Sequence, residues 1–127
     1  MIEIKNVTKK YGDFVAVNNI SFQVKDREIV GFLGPNGAGK TTTMNMITGF
    51  IEPTKGEIII NGNDISKKPK KAKREIGYMP ENVPLYLDLT PREFVRYMAE
   101  LKYVPRKERK KEVERVLEEI GLLEVQN

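Results

Sequence analysis

The chain contains no cysteine, no histidine and no tryptophan among its 127 residues. Without cysteine it forms neither disulfides nor thiolate metal sites, which fits a reducing compartment. Without histidine no imidazole is available as a general base, a metal ligand or a phosphate sensor. No apolar run approaches the ~20 residues of a membrane-spanning helix, and residues 1–10 lack the apolar centre of a signal peptide. These absences predict a cytoplasmic protein.

The charge is mildly basic, with a formal net charge of +4 at pH 7. Six basic side chains fall within residues 67–74, and five fall within 106–111. Nucleic-acid binding is one interpretation of such runs. The second run continues into several glutamates, which is typical of an exposed mixed-charge helix, and the first contains no aromatic residue to stack on a base. We therefore favour a solvated surface and expect no nucleic-acid partner.

The first 50 residues predict a small sheet followed by a strand and a helix. Apolar and polar residues alternate within 1–27, on both sides of a turn at 11–13, which indicates antiparallel strands. The nearly all-apolar run 28–33 predicts a strand buried on both faces, as in a parallel sheet. A helix is expected from about Gly39 to Thr48, with its inward residues and its terminating glycine being Met44, Ile47 and Gly49.

The middle of the chain predicts a hairpin, a short helix, a second strand and a loop. The pair Asn61-Gly62 within residues 51–66 is a strong signal for a type I′ turn. The basic run 67–74 is expected to form a short exposed helix. Residues 76–79 form a second short apolar segment, which we interpret as another strand of the parallel sheet, and residues 82–89 predict a loop.

Two helices are predicted at the end of the chain. Thr90-Pro91-Arg92-Glu93 is a capping box with proline at the first helical position. A second helix is expected from about Pro105, with Gly121 ending it. The apolar stripes expected to be buried are Phe94, Met98 and Leu101 on the first helix, and Val113, Val116, Leu117 and Ile120 on the second.

Residues 34–41 fit the phosphate-loop pattern Gly-x-x-x-x-Gly-Lys-[Ser/Thr], also called Walker A. Such a loop surrounds phosphate oxygens with backbone N–H groups, and the following helix directs its N-terminal dipole at them. Lys40 supplies a charge to the β- and γ-phosphates, Thr41 a hydroxyl to Mg²⁺, and Thr42 a contact to the α-phosphate. A glycine-rich turn without a ligand is the plain alternative. The candidate residues are Gly34, Pro35, Asn36, Gly37, Ala38, Gly39, Lys40, Thr41 and Thr42.

Beyond this motif, the sequence resembles the ATP-binding subunits of ABC transporters, in their exporter-like branch. The similarity runs through GPNGAGKTTT, PTKGEIIINGNDI, IGYMPE and the segment GYMPENVPLYLDLTPREFVRYMAELKYV. It implies an α/β P-loop NTPase fold of ABC type that is incomplete here. The implied parts are an antiparallel β-subdomain (1–27), a strand, phosphate loop and helix (28–50), a β-hairpin (51–66), a glutamine-loop-like region (76–89) and the start of a helical subdomain (90–127).

The resemblance also implies roles for two residues outside the loop, with ATP and Mg²⁺ as cofactors. Tyr11 sits where the family has an aromatic residue that stacks on adenine, although an ordinary packing role is the alternative. Glu81 occupies the glutamine position, 41 residues after Lys40 (81 − 40). Its carboxylate is a hard oxygen ligand suited to Mg²⁺, but it cannot donate a hydrogen bond as an amide does. A surface glutamate without a role is equally open.

The resemblance implies partners as well. The segment 82–101 corresponds to the region that docks on a membrane-spanning permease, which places the protein at the cytoplasmic face of the membrane. Leu85, Tyr86 and Leu87 form a small apolar cluster suited to such a contact. Anchoring of the loop to its own domain is the alternative. A second nucleotide-binding subunit is the other partner that the family implies.

Three parts of the family's machinery have no counterpart in these residues. No two glycines are adjacent, so the signature sequence is missing, and there is no switch histidine. The aspartates are Asp13, Asp26, Asp64 and Asp88, and none ends an apolar strand as the Walker B aspartate does. We expect a chain that binds ATP without hydrolysing it, and that self-associates or needs a completing C-terminal half. A non-catalytic regulatory module is the alternative function.

Overall fold

The computed structural model describes residues 1–83 and 85–124. Pro84 of the predicted loop and residues 125–127 of the predicted helical part lie outside the described residues. The chain divides into two compact units, residues 1–78 and residues 79–127. In the described parts, no helix combines the length and the apolar character needed to cross a bilayer.

The first unit is built on a four-stranded antiparallel sheet. Its strands are β1 (Ile2–Tyr11), β2 (Phe14–Val24), β3 (Lys55–Ile60) and β4 (Asn63–Asp64). Their order across the sheet is β2-β1-β3-β4, with every neighbouring pair antiparallel. The antiparallel opening predicted from alternation is confirmed. Asn61 and Gly62 join β3 to β4 with φ values of 45° and 74°, which are the positive values that a type I′ turn requires.

Two helices accompany this sheet, α1 (Lys40–Ile47) and α2 (Pro69–Arg74). Thr43, Met46 and Ile47 are the buried residues of α1, and they share one face because they are spaced by three and four positions. Met44 was predicted to face inward, and this is wrong, because it lies one position away from that face and is 39% exposed. Gly49 ends α1 as predicted, with φ of 70°.

The core of the first unit joins residues of three strands to the inner face of α1. Ile58 and Ile60 of β3 alternate as the period of two requires, whereas Ile4 and Val7 of β1 are three positions apart, across a register shift in the pairing of β1 with β2. Ala72 covers the core from the exposed, basic α2 and is itself fully buried. The buried cluster consists of Ile4, Val7, Val17, Met46, Ile47, Ile58, Ile60, Ile65 and Ala72.

The two segments predicted as parallel strands, 28–33 and 76–79, do not form strands in this structure. Ile29 is fully exposed and Leu33 is 92% exposed, so the prediction of burial on both faces is wrong. A parallel strand is held by hydrogen bonds to neighbouring strands, and within the described ranges no strand lies beside either segment. Phe32 nevertheless stacks on Phe22 of β2, with ring centroids 5.7 Å apart.

The second unit contains helices α3 (Pro91–Leu101) and α4 (Arg106–Glu119). Their contact buries Val113 and Leu117 of α4, as predicted. Leu101 and Ile120 were also predicted to be buried, and this is wrong, because they are 53% and 56% exposed. Leu101 is the last residue of α3, and Ile120 is the C-cap residue of α4. Gly121 follows α4 with φ of 70° and ends it as predicted.

The capping box at the start of α3 is formed in full. The backbone N–H of Glu93 donates to the Thr90 hydroxyl oxygen at 3.3 Å, and the backbone N–H of Thr90 donates to the Glu93 carboxylate at 2.9 Å. The Thr90 hydroxyl also donates to that carboxylate, at 3.0 Å. The bond from the Thr90 backbone, followed by that from its hydroxyl, lowers the pKa of Glu93 below its ordinary value.

We predict that this cap weakens as the solution is acidified. Because the pKa of Glu93 is lower in the folded than in the unfolded chain, its contribution is complete above the unfolded pKa and is lost as pH falls through the folded one. Thermal unfolding of the wild type and Glu93→Gln, followed by far-ultraviolet circular dichroism between neutral and acidic pH, measures it. The gap between the two midpoints should shrink on acidification. A gap independent of pH would contradict the prediction.

Candidate phosphate-binding site

The loop before α1 lies directly against strand β2, and glycine is required at the point of contact. Gly39 has φ of 85°, in the left-handed region that residues with a Cβ rarely adopt. A Cβ on Gly39 would lie 2.5 Å from the carbonyl oxygen of Ala16 and 3.1 Å from a methyl group of Val17. Gly37 also has a positive φ, of 83°, but a Cβ there would meet nothing within 4 Å.

The N-terminus of α1 has the features of an anion-binding site. Gly39 is its N-cap residue, no side chain caps it, and its first turn carries no acidic residue. The first N–H groups of a helix have no partners within the helix, and they stand at the positive end of its dipole. Thr41 is exposed and Thr42 is half-buried in this first turn. The first turn of α1 therefore combines backbone donors with two threonine hydroxyl groups next to the loop.

Lys40 is held over the loop by backbone oxygens. Its ammonium donates to the carbonyl of Gly34 at 2.6 Å and to that of Pro35 at 2.8 Å. An ammonium has three donors, so these two bonds leave one for a phosphate oxygen. The loop is closed further by the N–H of Ala38, which donates to the Pro35 carbonyl at 3.2 Å. The positive charge thus stands at a fixed place on the rim of the loop.

Thr43 is a residue of this site that sequence reasoning missed. It is 2% exposed, and its hydroxyl donates to the carbonyl of Gly39 at 2.9 Å. The phosphate-loop pattern ends at Thr41, so it does not include Thr43. The only signal in the sequence is that three threonines follow Lys40 in succession, and this does not show which of them turns inward.

Tyr11 lies at the end of the sheet that carries the phosphate loop. It pairs with Phe14 at the tip of the β1–β2 hairpin, and Ala16, whose carbonyl lies against Gly39, follows Phe14 by two residues along β2. The Tyr11 ring is half-exposed, with the ammonium of Lys9 5.2 Å from its centroid. Adenine stacking by Tyr11 stays a prediction.

Glu81, the other residue predicted outside the loop, belongs to the second unit and is exposed. Its role as a Mg²⁺ ligand stays a prediction. Within residues 1–83 and 85–124, no group of three or more acidic side chains gathers to hold a metal ion. Mg²⁺ in nucleotide sites is commonly held by one or two protein oxygens together with substrate phosphates. The Thr41 hydroxyl at the start of α1 fits that kind of site.

The three residues of the predicted apolar cluster in the loop before α3 differ in how they pack. The Tyr86 ring packs against Phe94 and Tyr97 of α3, at centroid distances of 6.3 and 5.6 Å, and a hydrogen bond with Tyr86 raises the pKa of Tyr97. Leu85 and Leu87 are instead 60% and 89% exposed. Tyr86 therefore anchors the loop to its own unit, while the two leucines on either side of it are presented to solvent.

The basic runs are partly neutralised on the surface. Lys67 pairs with Glu57 at 3.0 Å and with Asp64 at 2.9 Å. On α4, Arg109 of the second run pairs with Glu100 of α3 at 2.8 Å. Exposed pairs of this kind contribute little to stability. Each nevertheless places a carboxylate beside a positive side chain and so reduces the local positive charge.

A family model described as "ABC transporter" matches residues 17–127. The chain is 40% identical over 124 residues to the linearmycin resistance ATP-binding protein LnrL of Bacillus subtilis, covering 98% of this chain and 40% of that protein. It is 38% identical over 122 residues to YbhF, a probable multidrug ABC transporter ATP-binding protein of Escherichia coli, covering 96% of this chain and 21% of that protein. The chain therefore spans well under half of these relatives.

Two solved structures are similar in fold. An ATP-binding subunit of an ABC transporter superposes with a TM-score of 0.84 at 33% identity, over 96% of this chain and 51% of its own. The ATP-binding cassette MJ0796, in a dimeric post-hydrolysis state bound to ADP and phosphate, gives 0.79 at 31% identity, over 99% and 60%. With a phosphate loop built on β2 and α1 and these relatives in agreement, the chain belongs to the ABC transporter family of ATP-binding proteins and has its P-loop NTPase fold.

Proposed function

We propose that residues 1–127 bind ATP with Mg²⁺ and do not hydrolyse it on their own. The observation that carries the proposal is the seating of Gly39 against the Ala16 carbonyl, which fixes the loop in front of the uncapped N-terminus of α1. The family supports the choice of ATP, since relatives are named ATP-binding proteins and one solved neighbour holds ADP and phosphate.

The residues divide the binding between them. Backbone N–H groups of the loop and of the first turn of α1 surround the phosphates, because they are the unpaired donors at the positive end of the helix dipole. Lys40 adds a positive charge and at least one N–H. The Thr41 hydroxyl, with the Glu81 carboxylate as a second candidate, would hold Mg²⁺, which supplies charge neutralisation to the phosphates when bound. Tyr11 offers an aromatic face for the adenine ring.

The lack of turnover rests on the residue types present. Hydrolysis needs a positioned base or another group that activates the attacking water. The chain has no histidine, and none of its four aspartates ends an apolar strand as a Walker B aspartate does. The intact proteins of the family hydrolyse ATP, so the remaining groups would come from residues beyond these 127 or from a partner.

We predict that Lys40→Ala weakens Mg-ATP binding about ten- to hundredfold, because charged hydrogen bonds contribute about 1.5–3 kcal/mol each. Isothermal titration calorimetry measures the affinity, and phosphate release is measured on the same samples. Lys70→Ala, which removes an exposed lysine of α2, is the matched control and should bind as the wild type does. Phosphate release by the wild type should not exceed that of Lys40→Ala.

The same measurement of Mg-ATP affinity tests whether the close approach of Gly39 to Ala16 positions the loop for binding. Gly39→Ala places a methyl group 2.5 Å from the Ala16 carbonyl, whereas Gly37→Ala shares the positive φ and meets nothing. Gly39→Ala should therefore weaken binding more than Gly37→Ala. Equal affinities for these two variants, or phosphate release above the Lys40→Ala level, would contradict the proposal.

We further propose that this chain works at the cytoplasmic face of a membrane, docked on a membrane-spanning permease through residues 82–101, beside a second nucleotide-binding subunit. The exposed Leu85 and Leu87, held out by the anchored Tyr86, support the docking surface. The name of the dimeric neighbour supports the second subunit.

A single introduced thiol tests this docking, since the chain has no cysteine of its own. We expect Leu87→Cys, carrying a short thiol-reactive photocrosslinker, to attach to a membrane-spanning protein in a membrane fraction of the source cells. Ser66→Cys, exposed on the first unit, is the control and should not. Mass spectrometry identifies the product. Equal labelling from both positions would count against a docking surface at 82–101.

We also propose that residues 28–33 are covered by a completing polypeptide or by a second copy of this chain. Ile29 and Leu33 are almost wholly exposed, although each is a large apolar side chain. Removing apolar area from water stabilises by about 25 cal/mol per Å², so a partner that covers both residues is favoured. In the described part of the chain no strand of the sheet pairs with residues 28–33, so strand addition by the covering chain would supply their backbone with partners.

Charge introduced into this segment should reduce self-association. We predict that Ile29→Lys with Leu33→Lys lowers the weight-average mass of the isolated chain in concentration-dependent light scattering. Ser66→Lys with Asn63→Lys adds the same charge elsewhere and should leave the mass unchanged. A wild-type chain that is monomeric at every concentration would rule out the second copy as the covering partner.

A further inference from the structure

Thr43 makes two hydrogen bonds to one backbone oxygen of the phosphate loop. Its backbone N–H donates to the Gly39 carbonyl at 2.8 Å, as in any helix, and its hydroxyl donates to the same oxygen at 2.9 Å. The side chain is 2% exposed, so water does not compete for this hydroxyl. The Gly39 carbonyl is therefore held by two donors from a single buried residue.

The direction of the Gly39 carbonyl determines the direction of the Lys40 backbone N–H, which is one of the expected donors to phosphate. The Gly39 carbonyl and the Lys40 N–H belong to the same peptide unit, which is planar and trans, so the two groups point in opposite directions. The carbonyl points along α1 toward Thr43, and the Lys40 N–H consequently points out of the helix N-terminus. A carbonyl that accepts two hydrogen bonds also polarises its peptide unit and strengthens the N–H as a donor.

The peptide is held from its other side by the sheet. Gly39 approaches Ala16 so closely that a Cβ would lie 2.5 Å from the Ala16 oxygen. Gly39 also has no side chain of its own to resist rotation, and glycine has the widest choice of backbone angles. The hydroxyl of Thr43 and the backbone of Ala16 thus restrain this glycine of the loop from two sides.

We propose that Thr43 is a positioning residue of the phosphate cradle, whose hydroxyl aligns the Gly39–Lys40 peptide so that its N–H meets a phosphate oxygen. The proposal rests on the nucleotide binding proposed above and assigns a role to a residue beyond the loop pattern. Thr43 itself does not touch the nucleotide.

Thr48 is an internal control for a threonine hydroxyl that affects only its own helix and not the phosphate loop. A buried threonine in a helix commonly donates to the carbonyl four residues earlier, and Thr48 does so at the other end of α1. Its hydroxyl donates to the Met44 carbonyl at 2.9 Å, and it is 8% exposed. Thr43 in the first turn and Thr48 at the C-cap of α1 therefore share burial and a bond to the carbonyl four residues earlier, but only the carbonyl bound by Thr43 belongs to the loop. The Thr48 hydroxyl also lies 3.3 Å from the Asn45 carbonyl oxygen, to which it donates.

The test compares Thr43→Val and Thr48→Val in the 127-residue chain. Valine keeps the shape of threonine and removes the hydroxyl, while the Gly39 carbonyl keeps its bond to the residue 43 N–H. Mg-ATP affinity is measured by calorimetry, pyrophosphate affinity by displacement of Mg-ATP, and stability by thermal unfolding. We expect Thr43→Val to weaken both ligands about three- to tenfold, the effect of one net hydrogen bond, and Thr48→Val to leave both unchanged.

A second pair isolates the hydroxyl if valine disturbs folding. Thr43→Ser and Thr43→Ala differ from one another mainly by the hydroxyl group, and Thr43→Ser should bind Mg-ATP more tightly than Thr43→Ala by a similar factor. Equal binding within this pair, or equal losses in Thr43→Val and Thr48→Val, overturns the positioning role. A wild-type chain that fails to bind Mg-ATP, or binds it regardless of Lys40→Ala, overturns the proposed function instead.

Discussion

The contact between Gly39 and the Ala16 carbonyl is the constraint on which the phosphate loop depends. It joins the beginning of the edge strand β2 to the N-cap residue of α1, and only a residue without a side chain allows so close an approach. The sheet beneath is fixed by its own buried side chains. The position of the loop is thereby determined by packing that has no direct part in binding.

Signals that act over a few residues predicted the structure well. The Asn61-Gly62 turn and the Thr90–Glu93 cap are decided by neighbours in the sequence, and both are formed. The phosphate loop belongs to the same group, because its glycines and the following helix are specified locally. This is why the candidate binding residues could be named from the sequence.

Predictions that depended on contacts between residues far apart in the sequence were less accurate. Residues 28–33 have the composition of a buried strand, but a strand also needs neighbours to hydrogen-bond with, and composition does not supply them. Leu101 and Ile120 fit an apolar stripe, yet both are more than half exposed, because a periodic pattern does not specify which of its residues a neighbouring helix covers. Thr43 was missed for a related reason, since its role depends on which face of α1 meets the sheet.

The arrangement of the first unit has a consequence for the order in which the molecule takes shape during synthesis. All four strands and the phosphate loop fall within the first 64 residues. Because chains emerge from the ribosome with the N-terminal part first, the sheet has every one of its own pairing partners before α2, α3 and α4 are made. The sheet that positions the phosphate loop is then complete early, and the exposed segment 28–33 lies between strands that have already found their partners.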